Sequence, residues 1–226
     1  MKVAIVSSNG KFLLQKLRHH GFQVVKKNPD FVLCYGGDGT ILVAERRFPS
    51  IPKLAVKSTN ICHMCELGPS KLDTALQKIK QKKFSILKQT KLEARAKGKK
   101  LVGLNEVQVH TKTPIRAIRF SVGVNSKHFS NLIGDGVIVA TPFGSTAYYQ
   151  STGGNPFNRG IGVSFNNLHP KPIRALVVSE NSNIEIKIER GTAYLVADNN
   201  EKFISLADGD KVTVRKSKGI ARFIQV

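Results

Sequence analysis

In the stretch Asp30-Phe31-Val32-Leu33-Cys34-Tyr35-Gly36-Gly37-Asp38-Gly39-Thr40-Ile41-Leu42-Val43-Ala44-Glu45-Arg46-Arg47, an apolar run meets a glycine-rich turn and then a second apolar segment. Residues 30–35 read as a buried strand and residues 41–47 as a helix. Glycines let the backbone turn sharply and approach an anion closely. The N–H groups and dipole at a helix start favour negative charge. Asp38 would repel phosphate if anion binding were the only task of this turn. It makes sense if it holds Mg²⁺ or takes a proton from a hydroxyl nucleophile. The alternative is a tight strand-to-helix turn in which Asp38 is the helix N-cap. These residues alone leave both readings open.

On either side of this turn, residues 1–82 alternate strand and helix. Strands are expected at 3–7, 22–25, 31–35 and 53–56, and helices at 11–20, 40–48 and 72–82. Such alternation predicts a parallel sheet with helices packed on it. From Phe84 the helical period disappears. Strand-like runs follow at 84–87, 101–110, 117–124, 137–140, 160–164, 175–178, 184–188, 193–197 and 211–215. Their spacing and turn signals predict an all-β second domain. The expected division is an α/β domain over 1–82, a β-rich domain over 83–215 and a C-terminal segment over 216–226.

Two polar interruptions stand out in the second half. Residues 134–154 read Gly-Asp-Gly-Val-Ile-Val-Ala-Thr-Pro-Phe-Gly-Ser-Thr-Ala-Tyr-Tyr-Gln-Ser-Thr-Gly-Gly. Small and hydroxyl residues crowd around one short apolar strand, which suits a site for a polar planar ligand. In Leu104-Asn105-Glu106-Val107 an amide and a carboxylate break an apolar run. Buried polar groups are costly unless paired, so this pair is expected to face a cleft or a ligand.

Composition sets wider bounds. The chain has 226 residues, with 36 Lys and Arg against 15 Asp and Glu, a formal charge of +21. That length fits one large domain or two small ones. The charge calls for anionic partners or a positive cleft, and a lysine-rich bias of composition explains it as well. Nucleic acid is the runner-up partner, but no nucleic-acid motif appears. The local cluster 78–83 reads as the solvated C-terminal end of a helix. No segment approaches membrane-spanning length, and the start of the chain reads as a strand rather than a signal peptide. Three cysteines, an odd number, point to a reducing cytoplasm. Cys62 and Cys65 are spaced for a metal or redox pair, but no second pair exists to complete a zinc site. Cys34 is expected in the core.

The three motifs, in this order, resemble the NAD kinase family. GGDGT (36–40), LNEV (104–107) and the block 134–154 match its signatures. GGDGT alone is shared with diacylglycerol and sphingosine kinases; the block 134–154 is the specific piece. His169 with Arg174, the run Asp198-Asn199-Asn200 and the run 209–214 extend the resemblance more weakly.

The resemblance implies an α/β N-terminal domain, a β-rich C-terminal domain and an active site between them, with the last residues returning to the first domain. It implies transfer of the γ-phosphoryl group of ATP, or of polyphosphate, to the adenosine ribose 2′-hydroxyl of NAD, with Mg²⁺ or another divalent ion. Asp38 would be the general base or the metal-holding carboxylate. Gly36, Gly37, Gly39 and Thr40 would cradle the donor phosphates. Asn105, Glu106, Asp135, Thr146, Ala147, Tyr148 and Ser151 match positions that contact the dinucleotide. His169 and Arg174 are further candidates, His169 for orienting the aspartate or touching phosphate. Structural roles stay open for several: Tyr148 as a core aromatic, Asp135 as a turn residue, Ser151 as a helix-end cap, His169 as a structural histidine. No dedicated protein metal site is expected. The family also implies a homodimer or homotetramer and a cytoplasmic location.

The chain departs from the family pattern in places. Residues 57–67 carry no glycine where the family has a glycine-rich loop. Phe143 stands where a small polar residue is usual, and Asn199-Asn200 replace Gly-Gln. A second reading is therefore a catalytically altered relative that binds dinucleotide or nucleic acid, or phosphorylates another hydroxyl.

Overall fold

The computed structural model describes residues 1–7, 10–58, 62, 64, 65 and 67–226. The chain divides into two compact units, Met1–Gln89 with Ile220–Val226, and Thr90–Gly219.

The first unit is α/β. Strands β1 (Lys2–Ser7), β2 (Gln23–Val24), β3 (Phe31–Gly36) and β4 (Lys53–Lys57) lie parallel in the order β2-β1-β3-β4. Helices α1 (Lys11–His19), α2 (Asp38–Arg47) and α3 (Leu72–Lys80) accompany them. β3 is buried at nearly every position, as a strand covered on both faces must be. α1 buries Leu13 and Leu17; α3 buries Leu72, Ala75, Leu76 and Ile79. That is helical spacing on one face. These faces close over Val3, Leu33, Leu54 and Val56 in one core. The basic cluster at the C-terminal end of α3 is solvated, as expected: Lys78, Lys80, Lys82 and Lys83 are exposed.

One ion pair lies inside this unit. Lys53 of β4 is buried, as is its partner Glu45 of α2. Lys53 Nζ also donates to the Phe48 carbonyl at 2.9 Å. Cys34 is buried nearby, and burial pushes its thiol up to about 12, with Lys53 opposing and Glu45 adding to the shift.

The second unit is β-rich. Its strands are β5 (Ser85–Ala96), β6 (Lys99–Gly103), β7 (Glu106–Thr111), β8 (Ile118–Val124), β9 (Lys127–Gly134), β10 (Gly136–Ala140), β11 (Ile161–Asn166), β12 (Leu176–Val178), β13 (Ile184–Arg190), β14 (Ala193–Ala197), β15 (Ile204–Leu206) and β16 (Lys211–Gln225). β5 and β16 begin in one unit and end in the other. One layer runs β16-β13-β8-β9, with β5 beside β16 and β6 beside β5. The other runs β12-β11-β10-β7-β14-β15, all antiparallel. Ile184, Ile186 and Ile188 alternate inward along β13. They meet Val107, Val139 and Leu195 of the other layer in a shared core.

Several elements differ from expectation. The run 101–110 is two strands, β6 and β7, broken at Leu104–Asn105, because polar groups from elsewhere in the fold take the backbone there. β9 and β15 were not expected. β9 is half exposed and its burial does not alternate, and β15 spans only three residues, so neither carries a clear period. The run 211–215 and most of the C-terminal segment form one strand, β16, as far as Gln225; its middle is half exposed and shows no alternation. The expected all-β unit also contains one helical turn, α4 (Tyr148–Ser151). Among the described residues, no helix is long and apolar enough to cross a membrane.

Glu45→Ala leaves the buried Lys53 ammonium without this partner. The expected loss is about 3–5 kcal/mol, read from the midpoint of urea unfolding. The double substitution Glu45→Leu/Lys53→Met should recover most of it. A single-variant loss below about 1 kcal/mol contradicts the buried pair's role.

Candidate active site

In the first unit the GGDGT turn joins β3 to α2. Gly36 ends the strand, and a Cβ added there would lie 2.1 Å from Thr40 Oγ1, so only glycine fits. Gly37 occupies the N-cap position without a side-chain cap, and Asp38 is the first residue of α2. Asp38 is therefore not the N-cap, and that alternative falls. The Thr40 N–H donates to the Gly37 carbonyl at 2.9 Å. Thr40 thus keeps its hydroxyl, not its N–H, for a ligand.

Asp38 instead meets the following loop. Met64 N–H donates to Asp38 Oδ1 at 3.0 Å. The Cys62 sulfur lies 3.2 Å from the same oxygen, and the Cys65 sulfur 3.7 Å from the Gly36 carbonyl oxygen. Cys62 and Cys65 are joined in a disulfide, with Cα atoms 5.4 Å apart. This corrects the expectation of reduced thiols. Three-residue spacing brings the two Cα atoms within bonding reach, so no second pair is needed to satisfy them. Of the departing loop 57–67, residues 59–61, 63 and 66 lie outside the described residues.

In the second unit the LNEV and 134–154 motifs come together. Asp198, at the end of β14, reaches back to the break between β6 and β7. Its carboxylate accepts from the N–H groups of Leu104 at 2.7 Å, Asn105 at 2.8 Å and Glu106 at 3.2 Å. From the other side Thr141 donates through its N–H to the Asn105 carbonyl at 2.8 Å and through its hydroxyl to the Leu104 carbonyl at 2.6 Å. Gly144 packs flat on this corner. A Cβ there would lie 2.3–2.5 Å from the Asn105 backbone.

So held, Asn105 and Glu106 are buried, yet among the described residues Asn105 Oδ1 and Glu106 Oε2 have no hydrogen-bond partner. Orphaned buried polar atoms are rare and point to a group that the protein does not itself supply. Burial, joined by the nearby Asp198 charge and opposed by Gln108, pushes the Glu106 carboxyl up to about 8. At neutral pH Glu106 is thus largely a neutral acid, able to donate as well as accept.

The remaining candidates do not all lie at this corner: Glu106 pairs with Ala140 at one end of β10, and Asp135 precedes Gly136, which pairs with His110 at the other end. Asp135 sits between β9 and β10, where its carboxylate accepts from Asn167 Nδ2 at 2.7 Å. Thr146 and Ala147 precede α4, with Thr146 exposed. Tyr148 is 59% exposed, while Tyr149 is the core aromatic, packed edge-on to Phe157. Ser151 Oγ donates to the Tyr148 carbonyl at 2.9 Å, as a helix-end residue does. The His169 N–H donates to the Ile133 carbonyl at 2.8 Å, and His169 and Arg174 are both exposed. Among the described residues no cluster of three or more His, Cys, Asp or Glu is arranged to hold a metal ion.

Sequence reasoning assigned no role to Asp198 or Thr141. Asp198 lies 92–94 residues from the N–H groups it binds, so no local pattern could reveal it.

Comparison with known proteins adds to this geometry. Residues 104–226 match the family model of the ATP-NAD kinase C-terminal domain. An NAD kinase of Carboxydothermus hydrogenoformans is 34% identical over 209 residues, covering 87% of this chain and 74% of that protein. The crystal structure of an NAD kinase from Archaeoglobus fulgidus in complex with ATP superposes with a TM-score of 0.87 at 25% identity, covering all of this chain and 94% of that one. Yeast NADH kinase complexed with NADH shares the fold, with a TM-score of 0.89 at 18% identity over all of this chain and 83% of its own.

The folded Glu106 carboxyl holds a proton that the unfolded one, titrating near 4.5, gives up. Between that value and about 8 the folded state binds more protons, so rising pH destabilises it. Relative to Glu106→Gln, the wild-type unfolding free energy should fall by up to a few kcal/mol between about pH 5 and about pH 8. Identical pH dependence in the two proteins contradicts the buried acid.

Proposed function

The chain belongs to the NAD kinase family, and on that premise we propose that it transfers the γ-phosphoryl group of ATP to the adenosine ribose 2′-hydroxyl of NAD. The products are NADP and ADP. Family membership carries the reaction. The orphaned pair Asn105 Oδ1 and Glu106 Oε2 carries the place where the dinucleotide binds.

The second unit binds the acceptor. Asn105 offers an acceptor and a donor to an adenine edge, and Glu106 a carboxylic acid. Binding fills the hydrogen bonds that the protein leaves unmade, so a ligand lacking those groups is rejected. Asp135 accepts from ribose hydroxyls, while Thr146, Ala147, Tyr148 and Ser151 line the dinucleotide path. Gly144 and Thr141 hold Asn105 in place.

The first unit supplies the phosphoryl chemistry. The 2′-oxygen forms its bond to the γ-phosphorus as the bond from phosphorus to the ADP oxygen breaks. Asp38 takes the proton that the hydroxyl loses. The N-terminus of α2 and the turn Gly36, Gly37, Gly39 and Thr40 favour the donor phosphates. Mg²⁺ belongs to the same reading. With no protein cage among the described residues, it would arrive on the nucleotide phosphates and share the Asp38 carboxylate. Such an ion neutralises phosphate charge. His169 and Arg174 stand in reserve as phosphate contacts. Polyphosphate as an alternative donor, a homodimeric or homotetrameric state and a cytoplasmic location belong to the same proposal.

Purified protein with NAD, ATP and Mg²⁺ should form NADP, and a parallel reaction with polyphosphate names the donor. Asp38→Asn should lower kcat by about 10²–10⁴-fold while NAD binding, read by calorimetry, changes little. Turnover by Asp38→Asn near the wild-type rate sinks the assignment of Asp38.

A further inference from the structure

We propose that the second unit holds a binding cavity separate from the Asn105–Glu106 corner, and that its ligand is a small organic phosphate whose phosphate group meets Arg116 and Arg190. The cavity has a volume of about 530 Å³, and Thr111, Thr113, Arg116, Ile118, Arg190 and Thr192 are among its lining residues. That size suits a small organic ligand. Its walls are the loop joining β7 to β8 and the turn joining β13 to β14. Glu106 begins β7 and Thr111 ends it, so the cavity lies about 17 Å along the strand from the corner.

Backbone bonds build these walls before any ligand arrives. The Thr111 hydroxyl donates to the Arg116 carbonyl at 2.7 Å, and the Arg116 N–H donates to the Thr113 carbonyl at 3.0 Å. This closes a turn with Pro114 at its second position, where its fixed φ fits. The Lys112 N–H donates to the Thr192 carbonyl at 2.9 Å, which clasps the loop to the turn. Gly191 has a φ of +107°, and a Cβ there would lie 3.1 Å from Ile118 Cγ2. Its N–H donates to Asp208 Oδ1 at 2.6 Å.

The charge on these walls names the ligand. Arg190 pairs across the ladder with Arg119, beside a bulge between Ile188 and Arg190. Like charges placed directly opposite destabilise a sheet, and a bound anion offsets that cost. Among the described residues, none of Arg116, Arg119 and Arg190 is paired with a carboxylate. The acids on the neighbouring turn are engaged elsewhere, Asp208 by the Gly191 N–H and Asp210 by Lys97 at 2.9 Å. Glu189 is exposed one residue before Arg190, against the three arginines. A guanidinium presents paired N–H groups that match phosphate oxygens. Thr113 and Thr192 add hydroxyls, and Ile118 gives an apolar wall for the organic body. Asp135 borders the same end of β7, where its carbonyl accepts the Thr111 N–H at 2.7 Å. Its carboxylate is bonded to Asn167.

The test uses the full chain with ribose 5-phosphate and, in parallel, inorganic phosphate. Ribose 5-phosphate at about 10 mM should slow phenylglyoxal modification of Arg116 and Arg190 at least three-fold, read by peptide mass spectrometry. By calorimetry, Arg116→Gln/Arg190→Gln should bind ribose 5-phosphate about ten-fold more weakly than the wild type. Both positions are exposed, so the variant should keep the wild-type circular dichroism; should it not, the footprint on the wild type decides. Unprotected arginines, equal affinity in the two proteins, or binding of inorganic phosphate alone each overturn the site. The double variant should form NADP with wild-type kcat and KM. A raised KM for NAD or ATP puts the cavity on the substrate path and overturns its separateness. If neither protein forms NADP, the proposed reaction fails, while the footprint still decides the cavity.

Discussion

The Asp198 carboxylate is the constraint on which the second unit's chemistry depends. Three backbone N–H groups, from Leu104, Asn105 and Glu106, converge on its two oxygens. Hydrogen bonds to an ionised acceptor contribute about 1.5–3 kcal/mol each, roughly twice a neutral one. They turn the chain out of the β6 ladder and into β7. Thr141 takes the carbonyls that this turn releases. Without those partners, the corner would carry unpaired backbone inside a β-rich core, which folded proteins avoid. The consequence is local and chemical. Asn105 and Glu106 are fixed at a buried corner, with one oxygen each left over. The fold thus keeps two polar atoms desolvated and unsatisfied among the described residues, a penalty that the proposed dinucleotide would remove.

The first unit solves a different problem with the same economy of parts. A parallel strand buried on both faces must end in a turn that exposes backbone at a helix start. GGDGT provides the turn, with Gly36 admitting the Thr40 side chain where any Cβ would clash. Beneath it the Lys53–Glu45 pair ties β4 to α2, so the helix carrying Asp38 is fastened to the sheet on its buried side. The loop bearing Cys62 and Cys65 meets the same aspartate from its other side. Asp38 is thus the first residue of a helix fastened to the sheet, and its carboxylate accepts from the Met64 N–H.

Much of this was legible in the sequence because it rests on local periods. The strand 31–35, the glycine turn and the helix after it carry apolar spacing and glycine punctuation that physics ties to one geometry. Alternation along Ile184, Ile186 and Ile188 marked a half-buried strand as plainly. The motif block 134–154 and LNEV pointed to the family, now shown by relatives and by the family model. What stayed hidden was non-local or amphibious. β9 sets exposed Lys127, His128, Ser130 and Asn131 beside buried Leu132 without alternation, so no period marked it. The break at 104–105 comes from Asp198 and Thr141, neither of them a neighbour in sequence. Tyr148 and Tyr149 look alike in the chain, and only the fold exposes one and buries the other. The cysteine spacing showed that a bond was within reach, but only the folded loop shows that it forms against Asp38.

The most direct measurement is a crystal structure of this protein with NAD bound. It should place polar atoms of the dinucleotide within hydrogen-bond distance of both Asn105 Oδ1 and Glu106 Oε2, with the Asp198 bonds to residues 104–106 unchanged. NAD bound elsewhere, with both oxygens still unpartnered, would contradict the account.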